Sequence, residues 1–125
     1  MTEPNATTRT ILLVEDDPLI GHDLKRILVK GGHAVGGPFA EVADARGFLN
    51  GTGIDAAVLD VNLGDGRTSL DLARELRARG TPFVFLTGYA VQENHFEGDL
   101  MDVPRLGKPT RPSELAEAVG RLLEG

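Results

Sequence analysis

Short apolar runs alternate along the chain with longer stretches in which apolar residues recur every three or four positions. Three four-residue runs lie between turn-forming or charged residues, at 11–14, 56–59 and 83–86. Runs of this kind are typical of strands buried on both faces of a parallel sheet. Weaker strand patterns follow, one of them containing Pro104, which favours a sheet edge. The predicted strands span 10–14, 33–37, 56–60, 83–87 and 103–107.

Helical spacing fills the intervals between these strands. Apolar residues at 20, 24, 27 and 28 follow the i, i+4, i+7, i+8 pattern of one helix face after Pro18. Similar stripes predict further helices, the third with an i, i+4 pair of Glu75 and Arg79 and the last with Ser113 as its N-cap. The predicted helices span 18–30, 42–49, 69–79 and 111–123. The polar stretch at 91–102 has a thin apolar face, so any helix there is expected to be short or frayed.

The order of the predicted elements indicates one α/β domain. Alternating strands and helices favour a parallel sheet with helices on both faces, here a flavodoxin-like (βα)5 three-layer sandwich. We take the strand order 2-1-3-4-5 from that fold class rather than from the residues themselves. Residues 1–9 are polar and are expected to form a flexible N-terminal arm, with the domain at 10–125. In such sheets, ligands bind at the carboxyl ends of the strands.

Composition and charge exclude several classes of function. Thirteen basic and nineteen acidic residues give a net charge of −6, which disfavours binding to nucleic acids or anionic lipids. The chain has no cysteine, which excludes thiol chemistry and disulfides. No apolar run approaches the roughly 18 residues of a membrane span, and the first nine residues lack a signal-peptide core. We therefore expect a cytoplasmic, monomeric domain with no nucleic-acid or membrane partner.

Acidic residues follow the first and third predicted strands. Glu15 and Asp16 come directly after the first strand, and Asp60 ends the third. Since these strands are neighbours in the expected order, the three carboxylates should converge and repel one another, which raises pKa values or requires a cation. Oxygen ligands without cysteine suit Mg²⁺. The nearby Asp17 is more simply explained as favouring the start of the helix at Pro18.

Four segments resemble the motifs of the receiver domain of two-component response regulators: LLVEDD at 12–17, LDVNL at 59–63, LTG at 86–88 and GKP at 107–109. The resemblance covers Thr10 to Leu123, and we therefore expect no output domain. It implies a stand-alone, single-domain response regulator, which is a signalling protein rather than an enzyme. Its expected partners are a histidine kinase or a phosphotransfer protein, together with a downstream protein target.

The resemblance also implies a role for each residue of the site. Asp60 would be the phosphoacceptor that receives a phosphoryl group from the partner. Asp16 would bind Mg²⁺ directly and Glu15 through water, with Asp60 and the backbone carbonyl of Asn62 as further ligands. Lys108 would pair with a phosphoryl oxygen. Such a set suits phosphoryl transfer, in which positioned cations and donors supply most of the catalysis.

The residues expected to relay the signal depart from the usual receiver pattern. Thr87 would hydrogen-bond the phosphoryl group, and a cis peptide at Lys108–Pro109 would aim the lysine into the pocket. Arg105 stands where receivers usually have an aromatic residue, so the usual coupling of that ring to Thr87 is not expected. Tyr89 is the nearest aromatic residue that could respond instead. We expect phosphorylation to reposition Tyr89 and to order the stretch at 91–102.

Residues 82–89 resemble a subgroup of single-domain receivers with the pattern Phe-Ala-Thr-Gly-X-aromatic. That subgroup belongs to alphaproteobacterial stress signalling and works with histidine kinases of the HWE or HisKA2 type. Leu86 replaces the alanine of the pattern, and Tyr89 comes one place early.

Two other functions fit parts of the sequence. One is a receiver-like adaptor that acts without phosphorylation. The other is a phosphatase of the haloacid dehalogenase type, which also uses an aspartate nucleophile after a strand. That fold requires a second aspartate two residues after the nucleophile, where this chain has Asn62.

Overall fold

The computed structural model describes residues 8–88, 100 and 102–124. Within these residues, five strands and four helices follow the predicted order. They are β1 (Thr10–Val14), α1 (Pro18–Lys30), β2 (Ala34–Phe39), α2 (Val42–Gly51), β3 (Ala56–Asp60), α3 (Leu70–Ala78), β4 (Phe83–Thr87), β5 (Arg105–Gly107) and α4 (Pro112–Glu124). Most of the predicted arm at 1–9 and of the stretch at 91–102 lies outside the described residues. No described helix is long and apolar enough to cross a membrane.

The strands form one parallel sheet in the order β2-β1-β3-β4-β5, which confirms the predicted fold class. β5 is an edge strand and is shorter than predicted, because it begins only after Pro104. β2 runs two residues beyond its predicted end. Its register with β1 shifts there, since β2 advances from Gly36 to Phe39 while β1 advances from Leu12 to Val14.

Alternate residues of the central strands face two separate cores, which is why these strands are apolar throughout. The core under α2 and α3 contains, among others, Leu12, Val14, Ala57, Leu59, Leu72, Leu76 and Phe85. The core under α1 and α4 contains Ile11, Leu13, Leu24, Leu28, Val58, Val84, Leu115 and Val119. The sheet is thus the middle layer of three, and its central strands β1, β3 and β4 are closed to solvent on both faces.

Side-chain capping explains where two helices begin. The Asp17 carboxylate accepts hydrogen bonds from the backbone N–H groups of Leu19 and Ile20, so Asp17 is the N-cap of α1. At α4, the prediction of Ser113 as N-cap is wrong. The first helical bond runs from Leu115 N to the carbonyl of Arg111, and the helix begins at Pro112, a residue well suited to a first helical position.

The predicted pair of Glu75 and Arg79 on α3 forms no direct side-chain contact. The Glu75 carboxylate accepts from Nε of Arg46 on α2 at 2.9 Å, and Arg79 donates instead to the Asn50 side chain. The Arg46 guanidinium lowers the pKa of Glu75 below its ordinary value, and the Arg79 charge contributes to this lowering. Arginine side chains therefore join α2 to α3 across the surface, a partnership between helices that spacing along one helix does not reveal.

Candidate functional site

The carboxyl ends of β1 and β3 open into a cavity of about 310 Å³. Its lining includes Glu15 and Asp16 from the end of β1, Asp60 from the end of β3, Asn62 from the following loop, and Lys108 from the end of β5. Glu15 and Asp60 are each 2% exposed, which is unusual for carboxylates. The structure therefore brings together the acidic residues and the lysine that the sequence proposed.

Lys108 lies between two buried carboxylates. Its Nζ is 3.2 Å from Oδ2 of Asp60 and 3.1 Å from Oε1 of Glu15. The peptide bond between Lys108 and Pro109 is cis, as the resemblance implies, and the Lys108 N–H donates to the carbonyl of Thr87 at 2.9 Å. The backbone of Lys108 thus stays paired with β4 while its side chain extends into the pocket.

Burial and charge shift the ionisation of the central pair. Desolvation, reinforced by the Glu15 charge and opposed by Lys108, raises the pKa of Asp60 to about 7. Burial disfavours the charged form of Lys108, but the two neighbouring carboxylates outweigh it and hold the pKa of the lysine above its ordinary value. Lys108 is therefore a permanent cation, whereas Asp60 changes its charge near neutral pH.

The donor set fits a divalent cation. Glu15, Asp16 and Asp60 each offer one carboxylate oxygen, and these oxygens lie within 4.8 Å of one another. Oε1 of Glu15 is buried and, among the described residues, accepts no hydrogen bond, although the lysine ammonium lies nearby. The single charge of Lys108 does not balance the three clustered carboxylates, so the site would gain from a further cation. Hard oxygen ligands on an open, water-accessible pocket suit Mg²⁺.

A tight loop after β3 forms one wall of the pocket. Asn62 is exposed, and its Oδ1 accepts the Gly64 N–H at 3.0 Å, so its side chain shapes the loop. Residues 64–66 have φ values of 88°, 54° and 77°. A Cβ on Gly64 would lie 3.4 Å from Oδ2 of Asp16. This close approach of Gly64 to a candidate metal ligand leaves no signal in the sequence, because it depends on how the loop packs against the end of β1.

The residues proposed to relay the signal are described only in part. Thr87 is half-buried at the end of β4, next to Gly88 in the pocket wall. Arg105 is exposed on β5, where its Cα pairs in register with Phe85. Tyr89 lies outside the described residues, as does most of the stretch at 91–102. The expectation that Tyr89 responds to phosphorylation stays a prediction.

Fold and pocket together define a class of protein. A doubly wound parallel sheet carries an acidic pocket where its strand order reverses, between β1 and β3, and a lysine reaches into that pocket. The chain belongs to the response regulator receiver domain family, whose sequence profile matches residues 11–120. Receiver domains are signalling domains that bind Mg²⁺ at the acidic pocket and interact with histidine kinases or phosphotransfer proteins.

Individual relatives agree with this family. The chain is 35% identical over 117 residues to the transcriptional regulatory protein QseB of Escherichia coli O157:H7, covering 90% of this chain and 50% of QseB. It is 28% identical over 116 residues to the phyllosphere-induced regulator PhyR of Methylorubrum extorquens, covering 90% of this chain and 43% of PhyR. The chain thus spans half or less of these curated relatives.

Two solved structures match over nearly their whole length. The solution structure of SdrG from Sphingomonas melonis has a TM-score of 0.77 at 39% identity, covering 93% of this chain and 97% of that one. A response regulator receiver protein from Sinorhizobium medicae has a TM-score of 0.82 at 25% identity, covering 96% and 98%. These matches support the strand order and the three-layer arrangement described above.

Proposed function

We propose that this receiver domain accepts a phosphoryl group on Asp60 from a histidine kinase or phosphotransfer protein and acts as a single-domain response regulator. The observation that supports this is the position of Asp60. Asp60 is the last residue of β3, and its carboxylate lines the acidic pocket 3.2 Å from the Lys108 ammonium. A nucleophile and a fixed cation on one small cavity are the arrangement that phosphoryl transfer needs.

The transfer step follows from this geometry. A carboxylate oxygen of Asp60 attacks the phosphorus of a phosphohistidine, and a new O–P bond forms. The P–N bond to the donor histidine breaks, and the nitrogen keeps the electron pair. Lys108 lies where it can balance negative charge on the phosphoryl oxygens. The product is an acyl phosphate, a labile bond that suits a signal of limited duration.

Glu15, Asp16 and Asp60 would hold Mg²⁺, with the Asn62 backbone carbonyl as a further ligand. Bound there, the ion would neutralise charge on the phosphoryl oxygens and on the carboxylates. The protein's own contribution is to bury these acids around one point, so that their repulsion favours the cation-bound state. Without a cation the pKa of Asp60 is raised to about 7, and a cation held in the pocket would favour the anionic form of Asp60 that attacks.

The proposed partners follow from the resemblance at 82–89. We propose that the donor is a kinase of the HWE or HisKA2 type. We also propose that this protein is cytoplasmic and monomeric, and that its affinity for a target protein changes once it is phosphorylated. The likeness to SdrG and PhyR, both alphaproteobacterial, supports this subgroup. No role in binding nucleic acids is proposed for a domain with a net charge of −6.

Intact-mass spectrometry after incubation with acetyl phosphate and Mg²⁺ tests the proposed function. The wild type should gain one phosphate and Asp60→Asn none. Asp44→Asn removes an exposed carboxylate of α2 and should be labelled like the wild type. Labelling of Asp60→Asn at the wild-type level would contradict the assignment. Absence of labelling in all three proteins would favour the adaptor, and steady release of phosphate from aryl phosphates would favour the phosphatase.

A further inference from the structure

One guanidinium group holds the outer side of the loop between β3 and α3. Nε of Arg67 donates to the Gly64 carbonyl at 3.2 Å, and Nη2 donates to the Leu63 carbonyl at 2.8 Å. The remaining nitrogen, Nη1, pairs with the carboxylate of Glu41, which is the N-cap residue of α2. A single side chain therefore ties two adjacent carbonyls of the loop to a neighbouring helix.

The same loop faces the acidic pocket on its inner side. Its three consecutive positive φ values describe a backbone that residues other than glycine resist. The point where a Gly64 Cβ would stand is 3.4 Å from Oδ2 of Asp16 and 3.9 Å from Nη2 of Arg67. One backbone residue thus separates the guanidinium from a candidate metal ligand.

We infer that Arg67 is a positioning residue for the cation site: it holds the loop so that the Asn62 backbone and Gly64 stay against Asp16. The inference rests on the magnesium site proposed above. Hydrogen bonds within the loop, from Gly64 N to Asn62 Oδ1 at 3.0 Å and from Leu63 N to the Arg67 carbonyl at 2.9 Å, shape the turn. The Arg67 side chain connects this turn to α2.

An ordinary surface ion pair between Arg67 and Glu41 would contribute slightly to stability and would not fix the geometry of the loop. The side chains of Arg67 and Glu41 are 42% and 56% exposed, and pairs so exposed contribute about 0–1 kcal/mol to the free energy of unfolding. The contacts with the two carbonyls act on local backbone geometry instead. They also require the planar fork of arginine, because a lysine ammonium cannot reach two carbonyls and a carboxylate in the same way.

Calorimetric titration of the unphosphorylated full chain with Mg²⁺ measures the expected effect directly. Arg67→Ala should raise the Kd by about tenfold, the lower end of the effect of outer-sphere substitutions at metal sites. Arg67→Lys should resemble Arg67→Ala, and Glu41→Gln should give a smaller increase. Arg121→Ala is the matched control, since it removes an exposed arginine paired with Glu117 on α4 and should leave the Kd unchanged.

Two further readouts separate positioning from general stability. Amide hydrogen exchange at Leu63, measured without Mg²⁺, should be faster in Arg67→Ala than in the wild type, while the central strands keep their protection. In phosphorylation by acetyl phosphate, Arg67→Ala should need more Mg²⁺ for half-maximal rate yet reach a plateau within about twofold of the wild type, as expected when only cation affinity falls.

The outcomes distinguish this inference from the proposed function. A Kd for Arg67→Ala within twofold of the wild type, or full rescue by lysine, overturns the positioning role. Failure of the wild type to bind Mg²⁺ overturns it too. If the wild type binds Mg²⁺, and Arg67→Ala binds it more weakly, but neither protein is phosphorylated, the positioning role is supported and the proposed phosphoacceptor is contradicted.

Discussion

Lys108 Nζ lies 3.2 Å from Oδ2 of Asp60, although the two residues are 48 positions apart in the chain. The contact joins the end of β5 to the end of β3 across the intervening β4. Both groups are largely withdrawn from water, so their charges act on one another strongly. This pair therefore couples the pKa of Asp60 to the free energy of unfolding of the domain.

Asp60→Asn should stabilise the protein at neutral and alkaline pH. Because the folded pKa of Asp60, about 7, lies above its unfolded value near 4, its contribution to stability is lost as pH rises through that window. Asparagine removes the titration. The variant should match the wild type at pH 4 and exceed it by up to about 4 kcal/mol at pH 8, since the shift spans about three pKa units and each corresponds to about 1.4 kcal/mol.

Urea unfolding at pH 4, 6 and 8 without Mg²⁺ measures this difference. Asp44→Asn, on the surface of α2, should follow the wild-type profile at each pH. A gap between Asp60→Asn and the wild type that is constant across the three pH values would show that the Asp60 carboxyl does not titrate in the predicted window.

Lys108→Met should destabilise the protein by about 1–3 kcal/mol at pH 8, because it leaves the buried carboxylates of Glu15 and Asp60 without their cation. At pH 5 the loss should be smaller, since Asp60 is then protonated and the repulsion is weaker. Unfolding of the two proteins at both pH values tests this. Equal losses at pH 5 and pH 8 would mean that packing of the lysine chain, and not its charge, matters.

Millimolar Mg²⁺ should raise the melting temperature of the wild type, because it binds the folded pocket and not the unfolded chain. At a Mg²⁺ concentration about 100-fold above Kd, the free energy of unfolding should increase by about 2.7 kcal/mol. Asp16→Asn should lose most of this gain, since Asp16 supplies one of the three clustered oxygens. Asp44→Asn should keep it. A Mg²⁺-induced rise in Asp16→Asn equal to that of the wild type would remove Asp16 from the site.

Gly64→Ala should weaken Mg²⁺ binding as well as stability. Its φ of 88° costs a non-glycine residue about 1–2 kcal/mol, and the new methyl group would stand 3.4 Å from the Asp16 carboxylate. Gly66→Ala is the matched control, because its φ is 77° and its Cβ would meet no atom within 4 Å. It should share the loss of stability and keep the wild-type Kd for Mg²⁺. Equal Kd values in the two variants would contradict a specific role for Gly64.

Local patterns were enough to predict most of the fold. The buried strands are apolar throughout because both faces are covered, and this leaves a signal that needs no knowledge of neighbours. Of the two gaps in the prediction, the N-cap of α4 concerns neighbouring residues and the partner of Glu75 lies on another helix. Ser113 has the chemistry of an N-cap, but Pro112 is already helical and Arg111 takes the capping position. Glu75 has an arginine at the favoured spacing, yet it pairs with Arg46 on another helix.

The sequence by itself determined the order of the elements, the acidic and lysine residues at the strand ends, and the start of α1 at Asp17, because burial, charge and capping are properties of neighbouring residues. Only the tertiary structure decided that Lys108 lies between Glu15 and Asp60, and that Arg67 joins the loop after β3 to α2. Such contacts depend on the distance between elements after packing. That distance is set by the whole core, and no local pattern along the chain contains it.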